Sequence, residues 1–267
     1  MINSILSEVS PLYGFCSFEK LSNSLIDCRA KSRIPDNAKS IIVLLFPYFL
    51  GDEAYEGSDI SKYAVVPDYH DVIIEILLEA SEKLSKAYPD EKFVVFTDNS
   101  PIPEVRAAID AGLGVRGLNG LFINKDFGSW VFIGEIVTTM ELNFPENFET
   151  TCLGCEKCVS FCPTNAINKN GINSERCLSY ITQKKGKLTD EQEELIRQSG
   201  CAWGCDICQN VCPMNKSVNV LPLDSFINGA EIKARTESDI SDRAYAWRGE
   251  KVIKRNLAIL HKEGKVL

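Results

Sequence analysis

Nine of the chain's eleven cysteines lie between Cys152 and Cys212. They read Cys152-x2-Cys155-x2-Cys158-x3-Cys162-Pro163, then Cys177, then Cys201, then Cys205-x2-Cys208-x3-Cys212-Pro213. Thiolates at this spacing wrap [4Fe–4S] cubes in the bacterial two-cluster ferredoxin pattern. Three cysteines spaced by two residues reach three irons of one cube, and the Cys-Pro cysteine crosses to the other cube. The spacing therefore assigns Cys152, Cys155, Cys158 and Cys212 to one cluster. It assigns Cys162, Cys177, Cys205 and Cys208 to the second. Cys201 is either a spare thiol or a ligand standing in for Cys177, because an x2 spacing to Cys205 would need a thiol where Ala202 stands.

Other uses of so many cysteines fit less well. A disulfide framework belongs to an oxidising compartment, and Met1–Ser10 lacks the basic start and apolar run of an export signal. A zinc site takes four ligands without a trailing Cys-Pro. The longest apolar run, Ile41–Phe46, is too short to span a membrane, so a cytoplasmic protein without a membrane partner is expected. Hydrophobic content of 45% and charged content of 25% are ordinary for a globular chain. A net charge of −8 argues against broad non-specific binding to nucleic acid.

Along the chain, residues 1–40 read as helix and then loop. Ser40–Pro47 is a continuous apolar run ended by proline, the pattern of a buried central strand. Residues 51–67 read as loop, Asp71–Ala87 as an amphipathic helix, and Phe93–Phe96 as a second buried strand. Glu104–Ala111 reads as helix. Gly112, Gly114, Gly117 and Gly120 then crowd one loop, as backbone pressed against something bulky requires. A dinucleotide fingerprint would follow a strand, not a helix. Leu121–Ile123 and Trp130–Ile133 read as a hairpin through Lys125–Ser129. Thr189–Ser199 reads as a charged helix. Ser241–Lys262 reads as a final helix, with Trp247, Val252, Leu257 and Leu260 on its apolar face. Residues 243–265 carry Arg243, Arg248, Lys251, Lys254, Arg255, Lys262 and Lys265 against Glu250 and Glu263. That is a solvated face or a contact for RNA.

Several short motifs come in one order. They are Tyr63-Ala-Val-Val-Pro-Asp68-Tyr69-His70, Thr97-Asp98-Asn-Ser100-Pro101, Ala111-Gly-Leu-Gly114 with Gly117 and Asn119, and Gly128-Ser-Trp130-Val-Phe-Ile-Gly134-Glu135-Ile136. Cys177-Leu-Ser-Tyr-Ile-Thr182 and Gly204-Cys-Asp-Ile-Cys-Gln209 follow. Together, across roughly residues 35–220, they resemble the epoxyqueuosine reductase family, which is related to cobalamin-dependent reductive dehalogenases. The resemblance implies an α+β chain in three segments. Residues 1–147 would be a nitroreductase-like α/β sandwich that binds cobalamin, 148–217 a ferredoxin-like domain with two [4Fe–4S] clusters, and 218–267 a short helical tail. It implies an oxidoreductase of queuosine synthesis, with tRNA as substrate and an external flavodoxin- or ferredoxin-type electron donor. Two departures stand out: Val115 and Leu118 occupy the glycine loop where the family has an aromatic and a lysine. The family's long C-terminal helical repeat region is almost absent, with 241–264 able to stand for one unit.

The resemblance places the family's proton donor at Asp98, a residue type that otherwise makes turns. An apolar approach through Phe93–Phe96 is expected to raise its pKa by desolvation. It places Tyr69, His70, Asp98, Ser100, Gly114, Gly117, Asn119, Ser129, Trp130 and Glu135 near cobalamin. Arg106 and Arg116 are solvated or meet the cofactor's polar groups. Two other functions remain open at this point: an electron-transfer protein with no substrate of its own, and an activator that reduces another enzyme's corrinoid.

Overall fold

The computed structural model describes residues 1–145, 151–169, 171–236 and 239–262. Two compact units interleave along the chain. Met1–Pro47, Tyr69–Gly117 and Leu121–Leu153 make the first, and Tyr48–Asp68, Leu118–Gly120 and Gly154–Leu267 the second. This division cuts across the consecutive segments 1–147, 148–217 and 218–267, since 48–68, 118–120 and the C-terminal residues all group with the cysteine-rich part. The expected boundary at 147/148 lies outside the described residues.

The first unit is built on a four-stranded antiparallel sheet. Its strands are β1 (Leu12–Ser17), β2 (Ser40–Pro47), β3 (Phe93–Thr97) and β6 (Val131–Thr138), in the order β1-β2-β6-β3. All eight residues of β2 are buried, as the unbroken apolar run requires of a strand covered on both faces. Each fully buried aliphatic side chain there contributes roughly 1.5–3 kcal/mol. One face packs on α4 (Tyr69–Ala87), whose Ile73 and Leu77 press against Gly134. A Cβ at Gly134 would come 2.9 Å from Leu77, so glycine lets the helix down onto the sheet. The other face, with Ile41, Val43, Leu45, Ile133 and Val137, packs on Ala107, Ala108 and Ala111 at α5 (Glu104–Asp110).

The expected helix-then-loop over residues 1–40 is corrected. α1 (Ile2–Ser7) is followed by edge strand β1, then α2 (Phe18–Ser22). β1 shows no clean alternation, because its first four residues are only half-buried. The expected hairpin is also corrected: β5 (Phe122–Ile123) pairs with β4 (Val115–Arg116), while β6 joins the main sheet. A single Asn124–Gly128 bridge remains between them. Asn124 causes this. Its Oδ1 accepts from the backbone N–H of Asp126 and Phe127, and its Nδ2 donates to the Leu113 carbonyl at 2.6 Å. The turn is thereby tied to the preceding loop.

The second unit contains α3 (Lys62–Val65), α6 (Lys157–Ser160), α7 (Leu178–Gln183), α8 (Asp190–Ser199), α9 (Ile207–Asn210), α10 (Asp224–Asn228) and α11 (Glu250–His261). A small ladder joins β7 (Ile167–Asn168) and β8 (Gly171–Ile172). Leu178, Ile181, Leu188, Ile196 and Ile259 form its core. α8 starts at a capping box between Thr189 and Gln192. The final helix is shorter than expected, and its buried face is Val252, Ile253, Asn256 and Ile259. Leu257 and Leu260 are half-buried, and Trp247 is 59% exposed under the Arg248 guanidinium. Buried Asn256 donates to the carbonyls of Thr182 and Ala202 at 2.6 and 2.7 Å.

The basic stretch is largely committed to structure. Arg255 donates to the Lys184 and Gly186 carbonyls. Arg243 is 2% exposed and pairs with Glu231, Lys254 pairs with Glu250, and Lys262 with Glu193. Glu263, Gly264 and Lys265 lie outside the described residues.

Candidate active-site cleft and cluster ligands

β3 ends at Thr97, and the next two residues take left-handed backbone angles, Asp98 at φ 39° and Asn99 at φ 29°. Asp and Asn are among the few side chains that tolerate this region. Three donors converge on the Asp98 carboxyl. The Tyr69 hydroxyl donates at 2.5 Å, His70 Nε2 lies 3.2 Å away, and the Asn99 N–H donates to the other oxygen at 2.6 Å. Tyr69 and His70 open α4. The Tyr69 ring stacks on Phe132 of β6 at 4.0 Å, which fixes the hydroxyl. The expected rise in the Asp98 pKa is therefore corrected. The hydrogen bond from His70 leads, those from Tyr69 and the Asn99 backbone add to it, and together they outweigh burial and hold the carboxyl at about 2. Asp98 is a carboxylate, with 47% of its side chain exposed.

The groups that hold a proton stand beside it. Glu104, in the first turn of α5, is pushed up to about 7 by burial, helped by the negative charge of Asp98. Among the described residues no hydrogen bond or ion pair reaches its carboxyl. Sequence reasoning missed Glu104, because an acid in a first helical turn ordinarily answers the helix dipole. Glu135, on β6 between Val43 and Phe96, is fully buried, and neither carboxylate oxygen has a hydrogen-bond partner. Burial, reinforced by Glu104 and Asp98, raises it well above the ordinary carboxylate range.

An acid raised in the fold makes the folded state bind more protons than the unfolded one, so stability falls as pH climbs above the unfolded value. Glu135→Gln removes that titration. The unfolding free energy of the variant relative to the parent chain is expected to rise with pH from about 4.5. The slope is up to ~1.4 kcal/mol per pH unit. Denaturant melts across pH 4–8 measure it, and a flat difference would show that Glu135 is ionised in the fold.

A cleft of about 110 Å³ opens onto these groups, lined by Tyr69, Asp98, Glu104, Phe122, Ser129 and Phe132, with Val105, Leu121, Val131 and Ile133 completing its wall. A second cavity, of about 430 Å³, shares Asp98 and Glu104 and is lined also by Arg106 and Arg116. Arg106 is clamped to Asp110, and Arg116 is exposed.

The structure thus brings Tyr69, His70, Asp98 and Ser129 together. Trp130 is buried in the adjoining strand end. Ser100 closes its own turn: its hydroxyl accepts from the Ile102 N–H at 3.0 Å. Gly114 serves packing, since a Cβ there would sit 2.3 Å from the Ile123 carbonyl oxygen. Gly117 is buried and donates its N–H to Leu121. Asn119 belongs to the second unit, where its Nδ2 lies 3.8 Å from Cys208 Sγ.

The cysteine-rich region is internally duplicated. Gly154-Cys155-x2-Cys158 and Gly204-Cys205-x2-Cys208 both begin on a positive-φ glycine, at 63° and 79°. Both run into a one-turn helix, α6 and α9, followed by Cys-Pro. A Cβ on Gly204 would meet Ser61 Oγ at 2.0 Å. No disulfide joins any of the eleven cysteines. Burial pushes Cys205 and Cys208 up to about 12. Neighbouring Cys177 acts on both, and Cys162 also acts on Cys205. These four thiols therefore share one neighbourhood, and a coordinating metal removes such protons outright. At Cys162 burial raises the thiol, but hydrogen bonds from Thr164 and from the backbone up to Ile167 outweigh it and lower the pKa. Cys201 instead donates to the carbonyls of Trp203 and Gly204 at 3.1 and 3.6 Å. Among the described residues no three His, Cys, Asp or Glu gather closely enough for a single metal ion. The thiolates around a cubane stand farther apart than that.

Comparisons with known proteins agree with this geometry. The family described as "4Fe-4S double cluster binding domain" matches residues 151–215, so this part of the chain binds two [4Fe–4S] clusters. The family described as "Epoxyqueuosine reductase QueG, DUF1730" matches residues 30–99. Epoxyqueuosine reductase of Lactococcus garvieae is 35% identical over 218 residues, 76% of this chain and 61% of that protein. That of Cyclobacterium marinum is 32% identical over 230 residues, 84% of this chain and 72% of that protein. The solved structure of epoxyqueuosine reductase from Streptococcus thermophilus superposes with a TM-score of 0.80 at 25% identity, over 97% of this chain and 79% of that one. A catabolic reductive dehalogenase shares the fold at a TM-score of 0.50 and 15% identity, over 97% of this chain and 36% of that one. Among the described residues no helix is long and apolar enough to cross a membrane. On identity, coverage and fold, the chain belongs to the epoxyqueuosine reductase family.

Proposed function

We propose that the chain is a cobalamin- and iron–sulfur-dependent reductase that removes the epoxide oxygen of epoxyqueuosine in tRNA. The observation that carries this reading is the Tyr69–His70–Asp98 set on an apolar-walled cleft, in one chain with a double-cluster domain. A related structure of 24% identity holds an epoxyqueuosine-modified tRNA stem loop. Another, from Bacillus subtilis, is described with its catalytic aspartate loop swung out of the active site. The first supports an RNA substrate, and the second supports an aspartate in the reaction.

A corrin is an apolar ring rimmed by neutral amides. The wall of Val105, Leu121, Phe122, Val131 and Phe132 with the Tyr69 and Ser129 hydroxyls fits that composition. These residues would hold it. When bound, the clusters supply one-electron relays and cobalamin a reduced cobalt able to give electrons to an electrophilic carbon. Cys152, Cys155, Cys158 and Cys212 hold one cluster, and Cys162, Cys177, Cys205 and Cys208 the other. Asp98 holds Tyr69 in the cleft wall and engages His70, so a proton lost to a developing alkoxide comes from this hydrogen-bonded set. Electrons enter from a flavodoxin- or ferredoxin-type donor, and a tRNA substrate places the reaction in the cytoplasm.

The test is anaerobic turnover by the reconstituted chain. Given cobalamin, a reducing system and an RNA stem loop bearing epoxyqueuosine, it is expected to convert the modified base, as read by mass. Reduction of cobalt without conversion of the RNA would favour an activator of another corrinoid protein. No cobalamin binding would leave an electron-transfer protein.

A further inference from the structure

Taking the oxygen out of an epoxide as water breaks two C–O bonds and forms a C=C bond. It consumes two electrons, here from the external donor, and two protons. Asp98 is already ionised and engaged by three donors, so it is not itself the source of both protons. The same two cavities that Asp98 lines are lined by a second carboxyl, Glu104. No donor among the described residues holds Glu104 in its charged form.

Resting on the reaction above, we propose that Glu104 is the proton-loaded acid of the cleft and delivers one of the two protons to the departing oxygen. The groups facing it are Asp98 from the turn after β3, Tyr69 and His70 from α4, Glu135 from β6, Arg116 from β4, and Arg106 from its own helix. The cations do not neutralise it: Arg106 is spent on Asp110, and Arg116 is exposed. Three carboxyls in one neighbourhood cannot all ionise cheaply. Asp98 takes the charge because it has the donors, and Glu104 and Glu135 keep their protons. Of these two, Glu104 lines the cleft, whereas Glu135 is sealed in the sheet.

Two measurements test this. In the cluster-loaded full chain without cobalamin, infrared difference titration should show one carboxylic C=O band lost near pH 7. The band should vanish in Glu104→Gln. In Asp98→Asn it should titrate at lower pH, because the neighbouring negative charge is gone. In turnover, kcat of the loaded enzyme should fall above about pH 7. Glu104→Gln should lose ~10²-fold and also lose that limb, while Glu104→Asp should retain the limb. Iron content checks that each variant is folded. A carboxylic band still lost near pH 7 in Glu104→Gln, or wild-type turnover and pH profile in that variant, overturns the proposal. Failure of the unaltered chain to convert the RNA overturns the reaction itself, and the delivery step with it.

Discussion

Asp98→Asn is expected to lose turnover by at least ~10²-fold, the low end for general acid–base catalysis, while both clusters and cobalamin binding survive. The substitution keeps shape and removes charge. The amide no longer attracts the Tyr69 proton or an imidazolium at His70, whose partners lie 2.5 and 3.2 Å from the carboxylate. It can also turn its NH2 toward the Tyr69 hydroxyl, reversing that hydrogen bond. The low pKa of Asp98 sharpens the expectation. Because the carboxyl is ionised down to about pH 2, the activity of the parent enzyme should show no acid limb from Asp98 between pH 4 and 6. An acid limb there that disappears in Asp98→Asn would show that Asp98 itself titrates during turnover. Normal turnover by the variant would place the proton source elsewhere. Loss of cobalamin instead would make Asp98 a contact of the cofactor.

Cys177→Ser is expected to halve the iron and sulfide content, from roughly eight of each per chain to about four, under the ligand rule for two cubes. Cys201→Ser should leave both unchanged. The two thiols differ in what surrounds them. Cys177 sits where its charge is felt by both Cys205 and Cys208, as a ligand of a shared cube must. Cys201 is turned onto the backbone carbonyls of Trp203 and Gly204, contacts that suit a neutral structural thiol. The reverse outcome, with iron lost in Cys201→Ser and kept in Cys177→Ser, would exchange the two assignments.

The sequence yielded elements wherever one residue class repeats without interruption. The apolar run of β2, the amphipathic stripe of α4 and the charged helix α8 all form where the pattern places them. It was silent where tertiary context decides. β1 lies at a sheet edge with a glycine, Gly14, set against the Ala111 carbonyl, and so carries little alternation. β5 turned away from β6 because a single asparagine side chain bonds backward to Leu113. Motif order pointed to Tyr69, His70, Asp98 and Ser129, of which Tyr69, Asp98 and Ser129 line the cleft. Local apolarity misjudged the charge of Asp98, since its partners come from residues 28 and 29 positions earlier. Glu104 carried no signal at all, for its state is set by Asp98 and by the depth of the cleft.

The second unit's interleaving has a consequence for synthesis. Residues 48–68 find their long-range partners late in the chain: Ile60 bridges Trp203, Ser58 bonds Ile232 174 residues away, and Val65 accepts from Arg243 178 residues away. At a translation rate of about 5–20 residues per second, this stretch waits roughly ten to thirty-five seconds on the ribosome. During that time Ile60, Ala64, Val65 and Val66, all buried in the finished protein, lack the later residues of their unit. Closing so long a loop adds little free energy per extra residue, about 0.6 kcal/mol for each doubling, so the difficulty is one of timing. The nascent chain carries this segment through most of the elongation described, before Trp203 and Arg243 emerge.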